Sequence, residues 1–393
     1  MKMQIQDFDL TNKKVIIRCD LNVVIKDGVI VDDTRIRASL KTISYVLDNG
    51  GAAIILSHLG KIKEKSDLVI NDLYPVSVRL SELLGRKVLF SSETRGGKLE
   101  KMISLIKPGD VILIQNTRYE DLDGNKESSC DDELASYWAS LGDIFINDAY
   151  GTCHRKHASN VGIAKHLPNG LGFLVSNEVS KLDNIINEDT HPFVVIMGGA
   201  KVSDKIRVIS NLIIKCDKLI IGGGMAYTFL KSLGYNVGCS LVDQESISFC
   251  KQMLDKYKDK IILPIDSVLS LDINSDKCFI KNIEDISSDE IGLDIGPRTI
   301  ELFINNLKDA KRVVINGPMG LYENKLYSNG TKCIYDFIIS NNIKTLVGGG
   351  DSIASVNKLS DASKFYHIST GGGATLEYLE GKELPGISVI DER

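Results

Sequence analysis

Five short apolar segments of this chain each end in a glycine-rich turn. The segments lie at 193–197, 219–221, 313–315, 345–347 and 365–368, and the turns follow at 198–199, 222–224, 317–320, 348–350 and 371–373. Apolar runs of this length, bounded by glycine, are typical of buried strands, and helical patterns follow four of the turns. The repeat predicts a mainly parallel sheet, with all five turns at the carboxyl edge of its strands.

The first of these turns carries two lysines, Lys201 and Lys205, ahead of a helical pattern at 202–216. Ser203 and Asp204 suit the first turn of that helix. Glycine lets the backbone approach a ligand, and a helix start offers free N–H groups and the positive end of its dipole. The pattern suits a polyphosphate, but a tight turn with two solvated lysines explains the same residues. Five such turns at one sheet edge favour a nucleotide.

Composition excludes several classes of protein. The chain has 393 residues, 43% of them hydrophobic, which is typical of a globular protein of roughly two to three domains. Its net charge of -5 argues against nucleic acid as a partner, and no apolar run is long enough to cross a membrane. The eight cysteines form no CxxC pair, and the start of the chain lacks a signal-peptide pattern. We therefore expect reduced thiols and a cytoplasmic protein.

The first half of the chain alternates strand and helix patterns. Strands are predicted at 15–18, 52–56, 88–90, 111–114, 144–146 and 171–175, and helices at 37–49, 75–84, 98–106, 131–141 and 177–187. Polar side chains follow the strands, among them Asp20, Asn22, His58 and Arg118, with Arg35 and Arg37 placed between the first strand and its helix. Each alone is most simply a solvated loop residue. Their recurrence predicts a site for a small phosphorylated carboxylate at one sheet edge.

Two familiar nucleotide motifs are missing. No GxxxxGK[ST] occurs, so a Walker-type phosphate loop is excluded, and no GxGxxG opens a helix, which argues against a nicotinamide dehydrogenase. A non-catalytic binding protein on the same scaffold stays open as well. Asp351 suits either a magnesium ion that bridges phosphates or the N-cap of a helix. Glu323 is either an acceptor for ribose hydroxyls or an ordinary loop carboxylate.

Ten motifs, in order along nearly the whole chain, resemble the phosphoglycerate kinase family. They are Arg18-Cys-Asp-Leu-Asn22, Thr34-Arg-Ile36, Ser57-His-Leu-Gly60, Asn147-Asp-Ala-Tyr-Gly151, His154-Arg-Lys-His157, Gly198-Gly-Ala-Lys-Val-Ser-Asp-Lys-Ile206, Gly222-Gly-Gly-Met-Ala226, Asn316-Gly-Pro-Met-Gly320, Gly348-Gly-Gly-Asp-Ser352 and Ser369-Thr-Gly-Gly-Gly-Ala374. No single motif would settle the resemblance, but their shared order and spacing do.

The resemblance implies an α/β fold of two Rossmann-like lobes, each a mainly parallel sheet flanked by helices. It implies a substrate-binding domain at 1–172, a hinge helix at 173–190, a nucleotide-binding domain at 191–373, and a segment at 374–393 that returns to the first domain. The implied reaction is reversible phosphoryl transfer from 1,3-bisphosphoglycerate to MgADP, giving 3-phosphoglycerate and MgATP in glycolysis. A monomer without nucleic-acid or membrane partners is the family expectation.

The resemblance also assigns residues. Arg35, Lys201, Gly371 and Gly372 match the family's catalytic positions, and lobe closure would bring Arg35 to Lys201. Residues at substrate positions are Asp20, Leu21, Asn22, Arg35, His58, Leu59, Gly60, Lys61, Arg118 and Arg155. Residues at nucleotide positions are Gly199, Ala200, Lys201, Lys205, Gly223, Gly292, Asn316, Pro318, Glu323, Gly349, Gly350, Asp351 and Ser352, with Asp351 toward Mg²⁺.

The sequence departs from the family pattern at a few positions. Lys61 replaces the usual arginine, which keeps the charge but loses the planar fork that binds phosphate through two bonds. Leu21, Gln115, Thr117 and Ile315 replace phenylalanine, glutamate, leucine and tryptophan. None of these changes removes a charged catalytic group. We therefore expect activity to survive, with weaker substrate binding as the effect of Lys61.

Overall fold

The chain divides into two compact units, and each has its own sheet and core. The computed structural model describes residues 1–393. Residues 1–180 and 383–393 form the first unit, and residues 181–382 form the second. The terminal segment from 383 therefore packs with the first unit. The hinge role predicted for 173–190 stays a prediction.

The first unit is built on a six-stranded parallel sheet. Its strands and those of a small hairpin are β1 Lys14–Cys19, β2 Ile25–Lys26, β3 Val29–Ile30, β4 Ala52–Leu56, β5 Val88–Ser91, β6 Val111–Ile114, β7 Ile144–Asp148 and β8 Asn169–Leu171. The helices are α1 Thr34–Asp48, α2 Lys65–Ile70, α3 Tyr74–Leu84, α4 Gly97–Leu105, α5 Asp132–Ala139 and the start of α6 Phe173–Ile186. The strand order is β5-β6-β4-β1-β7-β8.

The second unit contains a six-stranded parallel sheet and a smaller antiparallel one. Its strands are β9 Phe193–Met197, β10 Lys218–Ile221, β11 Ile261–Ile262, β12 Asp266–Ser270, β13 Phe279–Asn282, β14 Ile291–Ile295, β15 Arg312–Asn316, β16 Lys344–Val347 and β17 His367–Ile368. The helices are α7 Ile206–Lys215, α8 Met225–Ser232, α9 Ile247–Tyr257, α10 Pro297–Leu307, α11 Asn329–Ser340, α12 Gly350–Leu359 and α13 Gly373–Leu379; α14 Pro385–Ser388 lies in the first unit.

The strand order of the second unit explains why the five glycine-rich turns lie together. The parallel sheet runs β11-β10-β9-β15-β16-β17, so the five strands that end in glycine-rich turns are consecutive neighbours. All five turns therefore lie along one edge, as predicted. The antiparallel sheet β13-β12-β14 was not predicted, because strands such as Phe279–Asn282 mix polar and apolar residues without a clear pattern. The predicted fold class, two parallel sheets flanked by helices, is confirmed.

One predicted strand is wrong. The segment 171–175 was expected to be extended, but β8 ends at Leu171 and α6 begins at Phe173, four residues before the predicted start. Tertiary contacts cap this early start: the Asp148 carboxylate accepts from the Leu174 amide at 2.8 Å, and the Thr42 hydroxyl accepts from the Phe173 amide at 3.1 Å. A short apolar run does not reveal such partners.

Three boundaries also differ from the prediction. Helix α1 begins at Thr34, so Arg35 and Arg37 lie in its first turn instead of a preceding loop. Asn147 and Asp148 are the last residues of β7 rather than residues that follow it. Residues Ser203–Lys205 form a 3₁₀ turn, and α7 itself begins at Ile206. None of the helices combines the length and apolar character needed to cross a membrane.

Candidate functional site

Four neighbouring strands of the first unit bring the predicted substrate residues to one edge. In the order β6-β4-β1-β7, each strand leads at its carboxyl end into a loop with polar side chains. Asp20 and Asn22 follow β1, His58 follows β4, and Arg118 follows β6. The Asn22 side-chain oxygen accepts from the Gly60 amide at 2.9 Å, which ties the β1 loop to the β4 loop. The parallel register therefore brings these loops together, as the sequence predicted.

Arg35 is held by Asp20. Its guanidinium Nη1 donates to Asp20 Oδ2 at 2.5 Å, and the arginine side chain is 42% exposed while the aspartate side chain is 11% exposed. Arg35 enters this position because it lies in the first turn of α1, directly after the β2–β3 hairpin. The pair presents a positioned, solvent-accessible cation at the edge where the substrate residues gather.

Beneath this edge lies a buried cationic cluster. Arg18, His58, Arg118 and His157 are each at most 8% exposed. Burial, followed by the charges of Arg18 and Arg118, holds the pKa of His58 well below its usual value. The same causes lower the pKa of His157 to about 3. Both imidazoles are therefore neutral near pH 7, and the arginines alone supply the positive charge.

Arg118 has an unused donor. Its Nε is buried without a hydrogen-bond partner, and its nearest carboxylate, Asp121, lies 3.9 Å away. A buried guanidinium with an unsatisfied N–H is costly unless an anion completes it. This orphaned donor fits a phosphate or carboxylate ligand. Arg155, in contrast, is exposed and donates from Nε to His154 Nε2 at 3.1 Å, and Lys61 is exposed as well.

A buried carboxylate and hydroxyl support this cluster, and sequence reasoning missed both. Ser159 donates to Glu127 from its amide at 2.9 Å and from its hydroxyl at 2.5 Å, and its hydroxyl accepts from Arg18 Nε at 2.8 Å. Glu127 is fully buried, and burial raises its pKa. Arg18 was not among the predicted site residues. The one available signal was a charged residue inside an apolar strand.

Lys205 lies in a cradle of backbone carbonyls in the second unit. Its Nζ donates to the carbonyl oxygens of Gly198 at 2.6 Å and Asn316 at 2.7 Å. Burial lowers its pKa to about 8, although the carboxylates of Asp351 and Asp204 act in the opposite direction. The strands β9 and β15 are neighbours, which brings both carbonyls to the lysine. Lys201 is exposed and lies close enough to lower the pKa of Asp243.

A cavity of about 490 Å³ opens along the glycine-rich edge. Seven of the predicted nucleotide residues line it: Gly199, Ala200, Gly223, Gly292, Pro318, Glu323 and Asp351. Leu241, Ile291, Leu293 and Met319 supply apolar walls, and β14 of the unpredicted antiparallel sheet forms one side. Lys201, Lys205, Asn316, Gly349, Gly350, Ser352, Gly371 and Gly372 lie outside its lining. A largely apolar pocket with a few polar groups is the form typical of small-molecule sites.

The cavity requires glycine at Gly292. A Cβ at this position would lie 1.8 Å from the hydroxyl oxygen of Tyr227, which is fixed by a 2.5 Å hydrogen bond to Ser267 Oγ. Gly223 has a positive φ of 65°, and a Cβ there would lie 2.6 Å from the Gly199 nitrogen. Sequence reasoning identified both glycines but missed Tyr227 and Ser267, which line the same cavity.

Asp351 does not cap its helix. The N-cap of α12 is Gly349, with a φ of 92°, and Asp351 lies exposed in the first helical turn, so the N-cap interpretation is wrong. Its carboxylate lines the cavity, where one carboxylate together with phosphate oxygens is a typical Mg²⁺ ligand set. The following Ser352 hydroxyl accepts from the Gly317 amide at 2.6 Å, which fixes the start of α12 against the β15 turn.

The last glycine turn presents two exposed residues, Gly372 and Gly373. Gly372 is exposed with a φ of 54° at the N-cap of α13, where a side chain would be strained. Gly371 is buried, and its amide donates to Ser369 Oγ at 3.5 Å. A hydrogen bond of this length is weak, so the amide can still donate to another acceptor. The turn therefore keeps backbone N–H groups available at the edge of the sheet.

Comparisons with known proteins agree with this geometry. The family model described as phosphoglycerate kinase matches residues 5–382. Curated phosphoglycerate kinases of Enterococcus faecalis and Listeria monocytogenes are 52% and 50% identical, each over 100% of both chains. The structure of phosphoglycerate kinase from Coxiella burnetii superposes with a TM-score of 0.91 at 36% identity, covering 99% of this chain and 98% of that one. The Pyrococcus horikoshii enzyme gives 0.81 at 28%, covering 98% of both.

The depressed pKa of His157 predicts a loss of stability in acid. The unfolded chain takes up a proton at this residue below about pH 6.5, while the folded chain does so only near pH 3. Stability should fall as the pH drops through this window, by at most about 1.4 kcal/mol per pH unit from this group. The urea midpoint of His157→Gln should depend less steeply on pH between about 7 and 5. A wild-type slope in His157→Gln would contradict the assignment.

The steric limit at Gly292 predicts a selective binding defect. Gly292→Ala forces Tyr227 into the cavity or displaces β14, so MgADP affinity should fall about tenfold or more in calorimetric titration. Gly97→Ala is the matched control, because a Cβ at Gly97 meets nothing within 4 Å. Unchanged ADP affinity in Gly292→Ala would place the nucleotide elsewhere.

Proposed function

The chain belongs to the phosphoglycerate kinase family, and from that premise we propose how its residues carry out the reaction. Its activity is phosphoryl transfer between 1,3-bisphosphoglycerate and ADP, giving 3-phosphoglycerate and ATP in glycolysis. The observation that carries the proposal is the buried cationic cluster with the unsatisfied Arg118 Nε, which suits an anionic substrate. The cavity of the second unit is the site proposed for the nucleotide.

In the first unit, the proposed substrate is the phosphoglycerate. Arg118 offers an N–H that has no protein partner, and Arg155 and Lys61 offer exposed cations for the phosphate. Asp20 and Asn22 belong to a loop tied to Gly60, so they present a fixed rim for the hydroxyl and carboxylate of the glycerate. Arg35, positioned by Asp20, is the cation proposed to meet the phosphoryl group in transfer.

In the second unit, the proposed ligand is ADP or ATP. The apolar walls suit the base, Glu323 suits the ribose hydroxyls, and Lys205 with the turns at 198–199 and 348–350 suits the phosphates. Mg²⁺, bound with the phosphates at Asp351, would neutralise part of their charge. Lys201 is exposed beside the turn at 198–199, so its side chain can move with the transferred phosphoryl group.

The chemistry needs charge stabilisation and positioning rather than a general base. The attacking ADP oxygen is already ionised, and the leaving group is a carboxylate. Lys201, Arg35 and the amides of Gly371 and Gly372 are proposed to surround the transferred group, whose charge is spread over three equatorial oxygens.

The two bound substrates must meet for transfer to occur. We place the hinge in α6, since this single helix begins in the first unit and ends in the second. Exclusion of water on closure would protect the acyl phosphate from hydrolysis. A monomer in the cytoplasm is proposed as the working form, and the eight free cysteines support a reducing compartment.

The purified chain should convert 3-phosphoglycerate and MgATP in an assay coupled to NADH oxidation. Lys201→Ala should lower kcat about a hundred- to a thousandfold, because it removes a donor aimed at developing charge. Lys98→Ala, at a largely exposed lysine of the first unit that pairs only with Glu93, is the control and should retain activity. Absence of turnover in the wild-type protein would refute the proposed function, and full activity of Lys201→Ala would refute the role of that lysine.

Arg35→Ala separates catalysis from nucleotide binding. Arg35 lies in the first unit, so its loss should lower kcat strongly while the dissociation constant for MgADP stays within about twofold. Turnover and calorimetric ADP binding measured on one preparation provide the comparison. An equal loss in both quantities would count against the assignment.

A further inference from the structure

His58 has only one possible tautomer in this structure. Its Nδ1 lies 3.2 Å from Nη2 of Arg18. A guanidinium carries five N–H donors and no acceptor, and it stays protonated in proteins. Nδ1 must therefore accept this hydrogen bond, and the ring hydrogen must lie on Nε2. The other nitrogen of His58 is then a hydrogen-bond donor.

Arg18 is itself held on three sides. It is completely buried; Nε donates to Ser159 Oγ at 2.8 Å, and Nη1 donates to the Cys19 carbonyl at 2.5 Å, in addition to the bond with His58. Because the guanidinium is planar, two bonds already fix the direction of the third. Removal of the Ser159 hydroxyl would release the Nε edge and let the plane rotate away from His58.

Ser159 is in turn oriented by Glu127. The hydroxyl donates to Glu127 Oε1, so its lone pairs face Arg18, and the Ser159 amide donates to Oε2. Glu127 is fully buried, and both of its carboxylate oxygens accept from Ser159. The four residues form a continuous chain of hydrogen bonds: Glu127, Ser159, Arg18, His58. Arg18 donates at both of its links, to Ser159 and to His58, and Ser159 donates to Glu127.

The surroundings of His58 oppose a second ring proton. Arg18, Arg118, His157 and Arg155 all act electrostatically on it, and burial adds to their effect. A proton on Nδ1 would also set an N–H against the guanidinium N–H of Arg18. The ring is thus neutral, and it can add a hydrogen bond to an anion without adding another charge to the cluster.

We propose that Glu127, Ser159 and Arg18 are positioning residues that hold His58 as a neutral imidazole with its hydrogen on Nε2, ready to donate to an oxygen of the bound phosphoglycerate. The inference rests on the proposed function for the contact between His58 and the substrate. The tautomer itself is a property of the free protein, so it can be tested without substrate.

The first test is the ¹⁵N spectrum of the full-length protein labelled at its six histidines. The His58 signals are identified by their loss in His58→Gln. Near pH 7 we expect an unprotonated, acceptor-type Nδ1 and a protonated Nε2, and because the pKa of His58 is held well below its usual value, we expect this pattern to persist below pH 6.5. A hydrogen on Nδ1, or a doubly protonated ring near pH 7, would overturn the proposal.

The second test breaks the chain of hydrogen bonds away from the substrate. Ser159→Ala should mix the two tautomers and raise KM for 3-phosphoglycerate about ten- to a hundredfold, while KM for ATP stays unchanged. Glu127→Gln keeps one acceptor for the Ser159 hydroxyl but loses the charge. It should change the tautomer ratio of His58 and the KM for 3-phosphoglycerate in the same direction as Ser159→Ala does, each by about threefold. Ser140→Ala is the control, because that exposed hydroxyl bonds only the Tyr137 carbonyl.

The outcomes separate this inference from the proposed function. If Ser159→Ala does not fold, the wild-type spectrum still tests the tautomer of His58, and Glu127→Gln still tests the positioning role. An intact tautomer and an unchanged KM for 3-phosphoglycerate in both variants would overturn the positioning role. A wild-type protein that has the expected tautomer but no turnover would instead refute the proposed function.

Discussion

A fully buried guanidinium at the end of β1 is the constraint around which the first unit is arranged. An unpaired charge in such a place would cost several kcal/mol, so the fold must provide a partner for each edge of Arg18. The backbone of its own strand, a hydroxyl from the segment after β7 and an imidazole from the loop after β4 provide them. The central strand, its neighbours and the cationic site are thus linked through one side chain.

The second unit depends on a different constraint, the absence of side chains where segments of backbone meet. Gly198 approaches Gly317, and Gly223 approaches Gly199, so closely that a Cβ on Gly198, Gly317 or Gly223 would collide with neighbouring backbone. This close approach leaves the carbonyls of the β9 and β15 turns facing inward, where they bind the lysine amine. A single lysine charge is thus held by backbone oxygens beside the glycine-rich turns, in a chain whose net charge is negative.

Much of this arrangement could be predicted from the sequence, for physical reasons. Residues 111–114 were expected as a strand and form one at those bounds, because a buried parallel strand needs an uninterrupted apolar run. The glycine turns share one edge because neighbouring parallel strands all end at the same edge of their sheet. What the sequence did not reveal depends on partners distant along the chain: the cap that starts α6 at Phe173, the antiparallel sheet beside the cavity, and the bonds from Glu127 to Arg18. Asp351 was ambiguous until the N-cap was seen to be Gly349. The roles given to individual site residues stay predictions.

Under the phosphate-binding role proposed for Lys205, its carbonyl cradle links phosphate recognition to proton uptake. With a pKa of about 8, this amine is incompletely charged in mildly alkaline solution, and two carbonyl dipoles stabilise its charge less than a phosphate would. An anion that replaces those carbonyls raises the affinity of the amine for its proton, and by thermodynamic reciprocity the proton raises the affinity for the anion. Heat released on nucleotide addition would then vary with the ionisation enthalpy of the buffer, and affinity for the nucleotide would decline above about pH 8.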